Sequence, residues 1–324
     1  MEIVDDSIAY LGAQPAALLW GLGGVVALLT IAAVVAAILP RLKPGGDFKN
    51  LRARINSWWV MVALVAAALL AGWQVVVLLF GLISFVALRE FLSLAPIRRE
   101  DRLIVLLAYL AIPISYAAIV FDRYGFYLVI IPTYAFLIGP FVMAIIGQTR
   151  AYLSTAALFH WGLMTCVYNI GYAAYLMRTP ESEPLPAGAA GLVFLLLAAT
   201  EFNDVMQYVW GKLLGRHKIV PRVSPNKTWE GFLGGWASTA ALIWFAGPLF
   251  APLEGVSLAV MAAVIPLAGF AGDVTMSAVK RDIGVKDTSQ FIPGHGGLLD
   301  RVDSLTFTAP LYFHLLAFFS FARF

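Results

Sequence analysis

The chain alternates long stretches free of charge with short segments dense in charged residues, glycine and proline. Charge is absent between Ser7 and Pro40, Ile55 and Leu88, Tyr124 and Thr149, Ala151 and Met177, and Gly231 and Leu253. A helix that crosses a bilayer needs about 20 apolar residues at about 1.5 Å rise each, so these stretches predict membrane spans. Broken at charges, Gly and Pro, the apolar runs predict ten helices near 15–39, 57–71, 73–94, 103–120, 126–146, 151–177, 188–211, 231–250, 256–279 and 304–323. The second and third are split at Ala71-Gly72-Trp73-Gln74, because one straight helix over 57–94 would be about twice the hydrocarbon thickness. The expected fold is an all-α integral membrane bundle forming one domain over 1–324. Residues 1–200 form a mainly apolar scaffold, 201–303 carry long polar segments, and 304–324 supply the last helix.

Composition agrees. Of 324 residues, 61% are hydrophobic and 13% charged, against about 25% charged in soluble domains. The start, Met-Glu-Ile-Val-Asp-Asp, lacks the positive residues of a secretory signal, so the first run is expected to be an uncleaved span. With ten spans and the N-terminus outside, 19 of the 22 Lys and Arg residues fall in cytoplasmic segments, as the positive-inside rule requires. Only Arg123, Arg178 and Arg323 remain outside, with the acidic start and the Glu181-Ser182-Glu183 loop. The single cysteine, Cys166, excludes an intrachain disulfide, and a net charge of +3 is too small to argue for nucleic acid. The expected location is a membrane, with the polar loops on its cytoplasmic side.

The charges themselves are concentrated. Residues 201–230 and 273–303 hold 17 of the 41. Glu201, Asp204 and Tyr208 recur at helical spacing, so they share one face of the seventh helix. A carboxylate inside a span is costly, and such a residue is a functional candidate; the alternative is a helix-end Asp204 paired with Lys212. On the ninth helix Asp273, Ser277, Lys280 and Arg281 form a second polar stripe. Carboxylates alternating with cations at this density suit a site that holds a divalent metal through Asp oxygens and a polyphosphate through Lys and Arg. The turn Pro293-Gly294-His295-Gly296-Gly297 lets backbone N–H groups approach a phosphate; the bland alternative is a flexible loop. A P-loop is absent, because Lys227-Thr228 follows Asn226 without a glycine-rich turn. His160 and His314 are expected to be packing residues. Gly231, Gly234 and Gly235 suit close helix packing, within the chain or across a homodimer.

Over 277–303 the chain carries Ser277, Val279, Lys280, Arg281, Lys286, Asp287, Ser289, Ile292, Pro293, His295, Gly296, Gly297, Leu298, Asp300, Arg301, Val302 and Asp303. This block resembles the signature of the phosphatidate cytidylyltransferases, the CDP-diacylglycerol synthases. Upstream, Asp204, Tyr208, Gly211 and Lys212, then Ser224, Pro225, Lys227, Thr228, Trp229 and Gly231, are similar to a second block of that family. The resemblance implies a multi-helix membrane enzyme that condenses CTP with phosphatidic acid, dependent on Mg²⁺ and with room for a second cation. It implies that Asp204, Asp273 and Asp300 hold the metal, and that Lys280 and Arg281 join them in catalysis. Tyr208, Lys212, Ser224, Lys227, Thr228, Ser277, Lys286, Asp287, His295, Gly296, Gly297, Arg301 and Asp303 would bind the substrates. Three departures lie beside this site: Met276 in place of a glutamate, Gln207 in place of an alanine, and the lead-in Glu201-Phe202-Asn203. The alternatives are an enzyme of the same superfamily acting on another lipid phosphate, a non-catalytic member, and, more distantly, a transporter.

Overall fold

The computed structural model describes residues 15–42, 48–96, 98–179 and 185–320. The acidic start, Lys43, the Glu181–Glu183 loop and Arg323, to which the sequence assigned sides of the membrane, lie outside these residues. Among the described residues there are nine helices long and apolar enough to cross a membrane. In chain order the elements are α1 (Ala16–Leu42), α2 (Lys49–Ala71), α3 (Trp73–Leu94), α4 (Arg102–Val120), α5 (Tyr124–Ile145), α6 (152–178), α7 (Gly188–Leu214), α8 (Trp229–Phe250), α9 (Gly255–Ile283) and α10 (Leu299–Phe319). Nine of these are the apolar helices. The tenth, α6, is a continuous succession of shorter helical pieces broken by a π segment over Met164–Asn169, and it occupies the sixth run predicted from the sequence. The chain is an integral membrane protein of the all-α polytopic class.

The doubtful division between α2 and α3 falls at Gly72, whose φ of +106° no side-chain-bearing residue would readily take. α2 begins at Lys49, a turn or more before its expected start, so a charged amphipathic piece precedes the apolar one. Six helices contain an internal proline, among them Pro266 in α9. Pro266 lacks the N–H that would bond the Ala262 carbonyl; next to that gap Trp236 Nε1 donates to the Ala263 carbonyl at 2.9 Å, and Asn203 Nδ2 donates to the Pro266 carbonyl at 3.2 Å.

The packing places α7, α8, α9 and α10 side by side, with α6 between α10 and α3. α7 and α8 approach closely because Gly211, Gly231 and Gly235 leave no side chains between them, and a Cβ on Gly235 would overlap Gln207. The glycines therefore serve packing within the chain. Tyr127, Tyr172, Tyr175, Phe91 and Phe313 are fully buried at the centre. Tyr172 donates to the Tyr168 hydroxyl at 2.7 Å inside the bundle, and Tyr175 donates at 3.0 Å to Asp122 in the exposed turn between α4 and α5. His160 and His314 pack on aromatic rings, Phe136 and Tyr172 respectively.

Candidate functional site

One end of the bundle gathers the two polar segments. The loop after α7 is pinned by an isolated antiparallel bridge between Lys218 and Thr228, and the loop after α9 by another between Ile292 and Gly296. Arg281 ties them together by donating from Nε to the Val223 carbonyl at 3.2 Å. The Thr228 hydroxyl caps α8, accepting from the Gly231 N–H at 3.1 Å, the usual role of Thr at this position. Between the loops, Lys227 Nζ lies 2.6 Å from Asp273 Oδ2 and 3.0 Å from Gln207 Oε1, above the Phe270 ring. Gln207, one of the departures, thus gives the site lysine a neutral acceptor.

Deeper, Asp204 Oδ2 accepts from the Ser304 hydroxyl at 2.9 Å, while its Oδ1 is buried with no partner. Asp204 is not paired with Lys212, which is exposed. The carboxylates of Asp204, Asp273 and Asp303 are close enough to repel one another, and Arg301 lies near both Asp303 and Glu201. Lys280 Nζ sits 2.8 Å from Asp300 and 3.9 Å from Asp303. Gly272 brings α9 against α10 here, since a Cβ on it would lie 2.7 Å from the Asp303 carbonyl. Ser277 donates to Asp273 Oδ1 at 3.2 Å.

Asp300 is used differently from its neighbours. Its Oδ1 takes Lys280, and its Oδ2 accepts from the Thr288 N–H (2.7 Å), the Thr288 hydroxyl (3.0 Å) and the Gly297 N–H (2.9 Å). Its Oδ2 is therefore committed to folding the 284–298 loop, and its Oδ1 to Lys280 of α9. Tyr208 is 64% exposed, and Lys212, Arg281, Lys286 and Asp287 are exposed as well, while Ser224 is half-buried in a turn. These form the rim, and Asp204, Lys227, Asp273, Lys280, Arg301 and Asp303 form the interior.

A second set of residues comes from the first half of the chain, where the sequence suggested only scaffold. Glu90, near the end of α3, is 6% exposed. Its Oε1 accepts from the Ser289 hydroxyl (2.8 Å) and the Leu298 N–H (3.0 Å), and its Oε2 from the Leu299 N–H (2.8 Å), while the single Thr288 hydroxyl proton is shared between Oε2 and Asp300 Oδ2, with the hydroxyl oxygen 3.0 Å from each. Gly297 is obligatory at this crossing, because a methyl there would overlap both Thr288 and Glu90. From α2, Arg54 Nε donates to the Gly294 carbonyl and Ser57 to the Pro293 carbonyl, each at 2.9 Å, and Trp58 meets the His295 ring edge-on. Burial, with the positive charges of Arg301 and Arg54, pushes the His295 imidazole down to about 4, so it is neutral at pH 7. The available signal for Glu90 was its place at the end of a long charge-free run, where a carboxylate is a functional candidate by default.

The donor set fits a hard divalent cation of limited protein ligation. Among the described residues no three His, Cys, Asp or Glu side chains converge closely enough to form a cage. The unpartnered Asp204 oxygen beside Asp273 instead matches Mg²⁺, which takes one or two carboxylates and fills its remaining positions with water and substrate phosphates. Asp300 Oδ1 holds only Lys280, while its Oδ2 serves the loop.

The model of the cytidylyltransferase family matches residues 52–319. The chain is 38% identical over 297 residues to the uncharacterized protein YnbB of Escherichia coli (strain K12), covering 92% of this chain and 97% of that one. It is 28% identical over 274 residues to the phosphatidate cytidylyltransferase of Staphylococcus aureus (strain COL), covering 80% and 96%. With the phosphatidate cytidylyltransferase of Mycobacterium leprae (strain TN) it shares 45% over 121 residues, 37% of this chain and 38% of that one.

Proposed function

The chain belongs to the cytidylyltransferase family, and on that premise we propose that it condenses CTP with phosphatidic acid to give CDP-diacylglycerol and pyrophosphate. The observation that carries this reading is a buried mixture of lysines, arginines and carboxylates at the end of a membrane bundle, closed by two loops. A water-soluble nucleotide and a membrane-held lipid phosphate meet most readily at such a place. The loops would lie in the cytoplasm, with the lipid supplied by the inner leaflet of the bacterial inner membrane.

In the reaction a phosphate oxygen of the lipid attacks the α-phosphorus of CTP. The new P–O bond forms as the bond to the bridging oxygen breaks, and pyrophosphate leaves with the electron pair. Both reactants are anions, so neutralisation of charge is the main demand. Lys227 and Lys280 are held ready against Asp273 and Asp300, and each can transfer its contact to phosphate oxygens. Arg301, whose Nε is buried without a partner, is suited to a further phosphate contact. His295, neutral, can donate one N–H, and no side chain need remove a proton because a phosphate monoester is largely ionised at neutral pH. Asp204 and Asp273 would hold Mg²⁺, which when bound supplies neutralisation of the triphosphate and of the departing pyrophosphate.

The test is formation of CDP-lipid by the purified protein from labelled CTP and phosphatidic acid, with and without Mg²⁺. Asp204→Asn, Asp273→Asn and Lys280→Ala are expected to abolish it in protein that still inserts. Wild-type rates in all three would remove the site assignment, and absence of any CDP-lipid from wild-type protein would remove the function. A panel of other lipid phosphates in the same assay separates phosphatidic acid from a different lipid substrate.

A further inference from the structure

Lys227, in the loop before α8, is held by two acceptors of different kinds. Its Nζ lies 2.6 Å from Asp273 Oδ2 and 3.0 Å from Gln207 Oε1, with the centre of the Phe270 ring 4.9 Å away. The other Asp273 oxygen accepts from the Ser277 hydroxyl. A metal cation drawn to Asp273 meets the ammonium already there, and like charges so close repel strongly away from bulk water. The lysine must then give way, and with no other acceptor it would leave the site together with its charge. Gln207 supplies that acceptor. It is 8% exposed and packs on α7 against α8, in the space that Gly235 leaves open, so packing holds its carboxamide in place. The amide faces the lysine in one sense only, because a flip would set its NH₂ against the ammonium, and both groups only donate. Its Nε2 is buried with no partner, so among the described residues Lys227 is the single hydrogen-bond partner of this side chain. An amide oxygen holds an ammonium without cancelling its charge, whereas a carboxylate cancels it.

Resting on the proposed function, we infer that Gln207 is a positioning residue for Lys227: it keeps the ammonium in the site, with its charge intact, when Asp273 turns from the lysine to Mg²⁺. The lysine is then in place for the triphosphate of CTP. Two contacts divide the work. Asp273 holds Lys227 while the site is empty, and Gln207 Oε1 holds it once the carboxylate is taken.

Gln207→Met keeps the length of the side chain and its place against Gly235, and removes the acceptor. Mn²⁺ serves as the probe for the metal, read by loss of the free-ion EPR signal in protein without CTP or lipid. It should bind Gln207→Met about fivefold or more weakly than wild type, the net contribution of one hydrogen bond, because Lys227 then has only Asp273 and competes with the ion for it. In turnover the same variant should raise the KM for CTP about fivefold or more and leave kcat within about twofold. Gln207→Glu separates holding the lysine from keeping its charge. It retains an oxygen for Lys227 but neutralises it, so Mn²⁺ should bind at least as tightly as to wild type while the KM for CTP rises about tenfold or more. A side chain that only fills the contact between α7 and α8 would show neither pattern. A wild-type Mn²⁺ affinity or a wild-type KM for CTP in Gln207→Met overturns the inference and leaves the function standing. Should that variant fail to fold, a wild-type KM for CTP in Gln207→Glu overturns it. Wild-type protein that binds no Mn²⁺ overturns the role given to Gln207, and wild-type protein that makes no CDP-lipid overturns the function first.

Discussion

Replacing Glu90 should disable the 284–298 loop although the residue touches none of the proposed reacting groups. Its carboxylate faces four donors, two of them the backbone N–H groups of Leu298 and Leu299, with the Thr288 hydroxyl shared with Asp300. In Glu90→Ala those two donors lose their acceptor in a buried place, at about 1–3 kcal/mol each. The summed effect is about 2–6 kcal/mol, most of it local to the loop. Glu90→Gln is the finer test. Each carboxylate oxygen faces one hydroxyl and one N–H, and the hydroxyl can turn but the N–H cannot. Whichever way the amide is placed, its NH₂ confronts a backbone donor, so about 1–3 kcal/mol is still lost. Because the same loop holds Asp300 and through it Lys280, kcat for CDP-lipid formation should drop about 5- to 150-fold in Glu90→Gln, if that loss appears in the barrier, and further in Glu90→Ala. Hydrogen exchange should show faster exchange of the Leu298 and Leu299 amides. Wild-type turnover together with wild-type protection of those amides in Glu90→Ala would refute the reasoning.

Four further outcomes can be checked. Gly297→Ala, whose methyl would overlap Thr288 and Glu90, should reproduce the Glu90→Ala phenotype, and full activity would show that the crossing is looser than described. Lys227→Ala should raise the KM for CTP and lower kcat/KM by about 100-fold or more, the cost of leaving Asp273 unpaired and a phosphate without its cation; an unchanged KM and kcat would move Lys227 out of the site. His295, held at about 4, should react with diethyl pyrocarbonate at a steady rate once corrected for reagent loss, from pH 8 to about 5, and more slowly as pH nears 4. The lowered value also means that its contribution to stability is present above about pH 6.5 and is lost as pH falls toward 4; a midpoint near 6.5 would contradict the charged surroundings. In a Cys166→Ala background, cysteines at Arg222 and Gln290 should label only from the cytoplasmic side, and labelling from outside would reverse the topology.

The apolar runs determined the number and order of the helices because the bilayer imposes a length and a polarity that a sequence displays directly. The clustering of 17 charges in two segments likewise pointed to the end where Lys227, Asp273, Lys280 and Asp303 meet. Sequence period shows which residues share a face of one helix, but not which helices are neighbours. Only the packing decided that Tyr208 faces outward while Asp204, on the same helix, turns toward Ser304. Only the packing gave Asp300 and Thr228 to the folding of the loops and brought α2 and α3 against them. Glu90 meets Thr288 across 198 residues of chain. An acceptor for backbone N–H groups that distant has no local pattern, because the requirement it fulfils arises when a loop is buried and deprived of water.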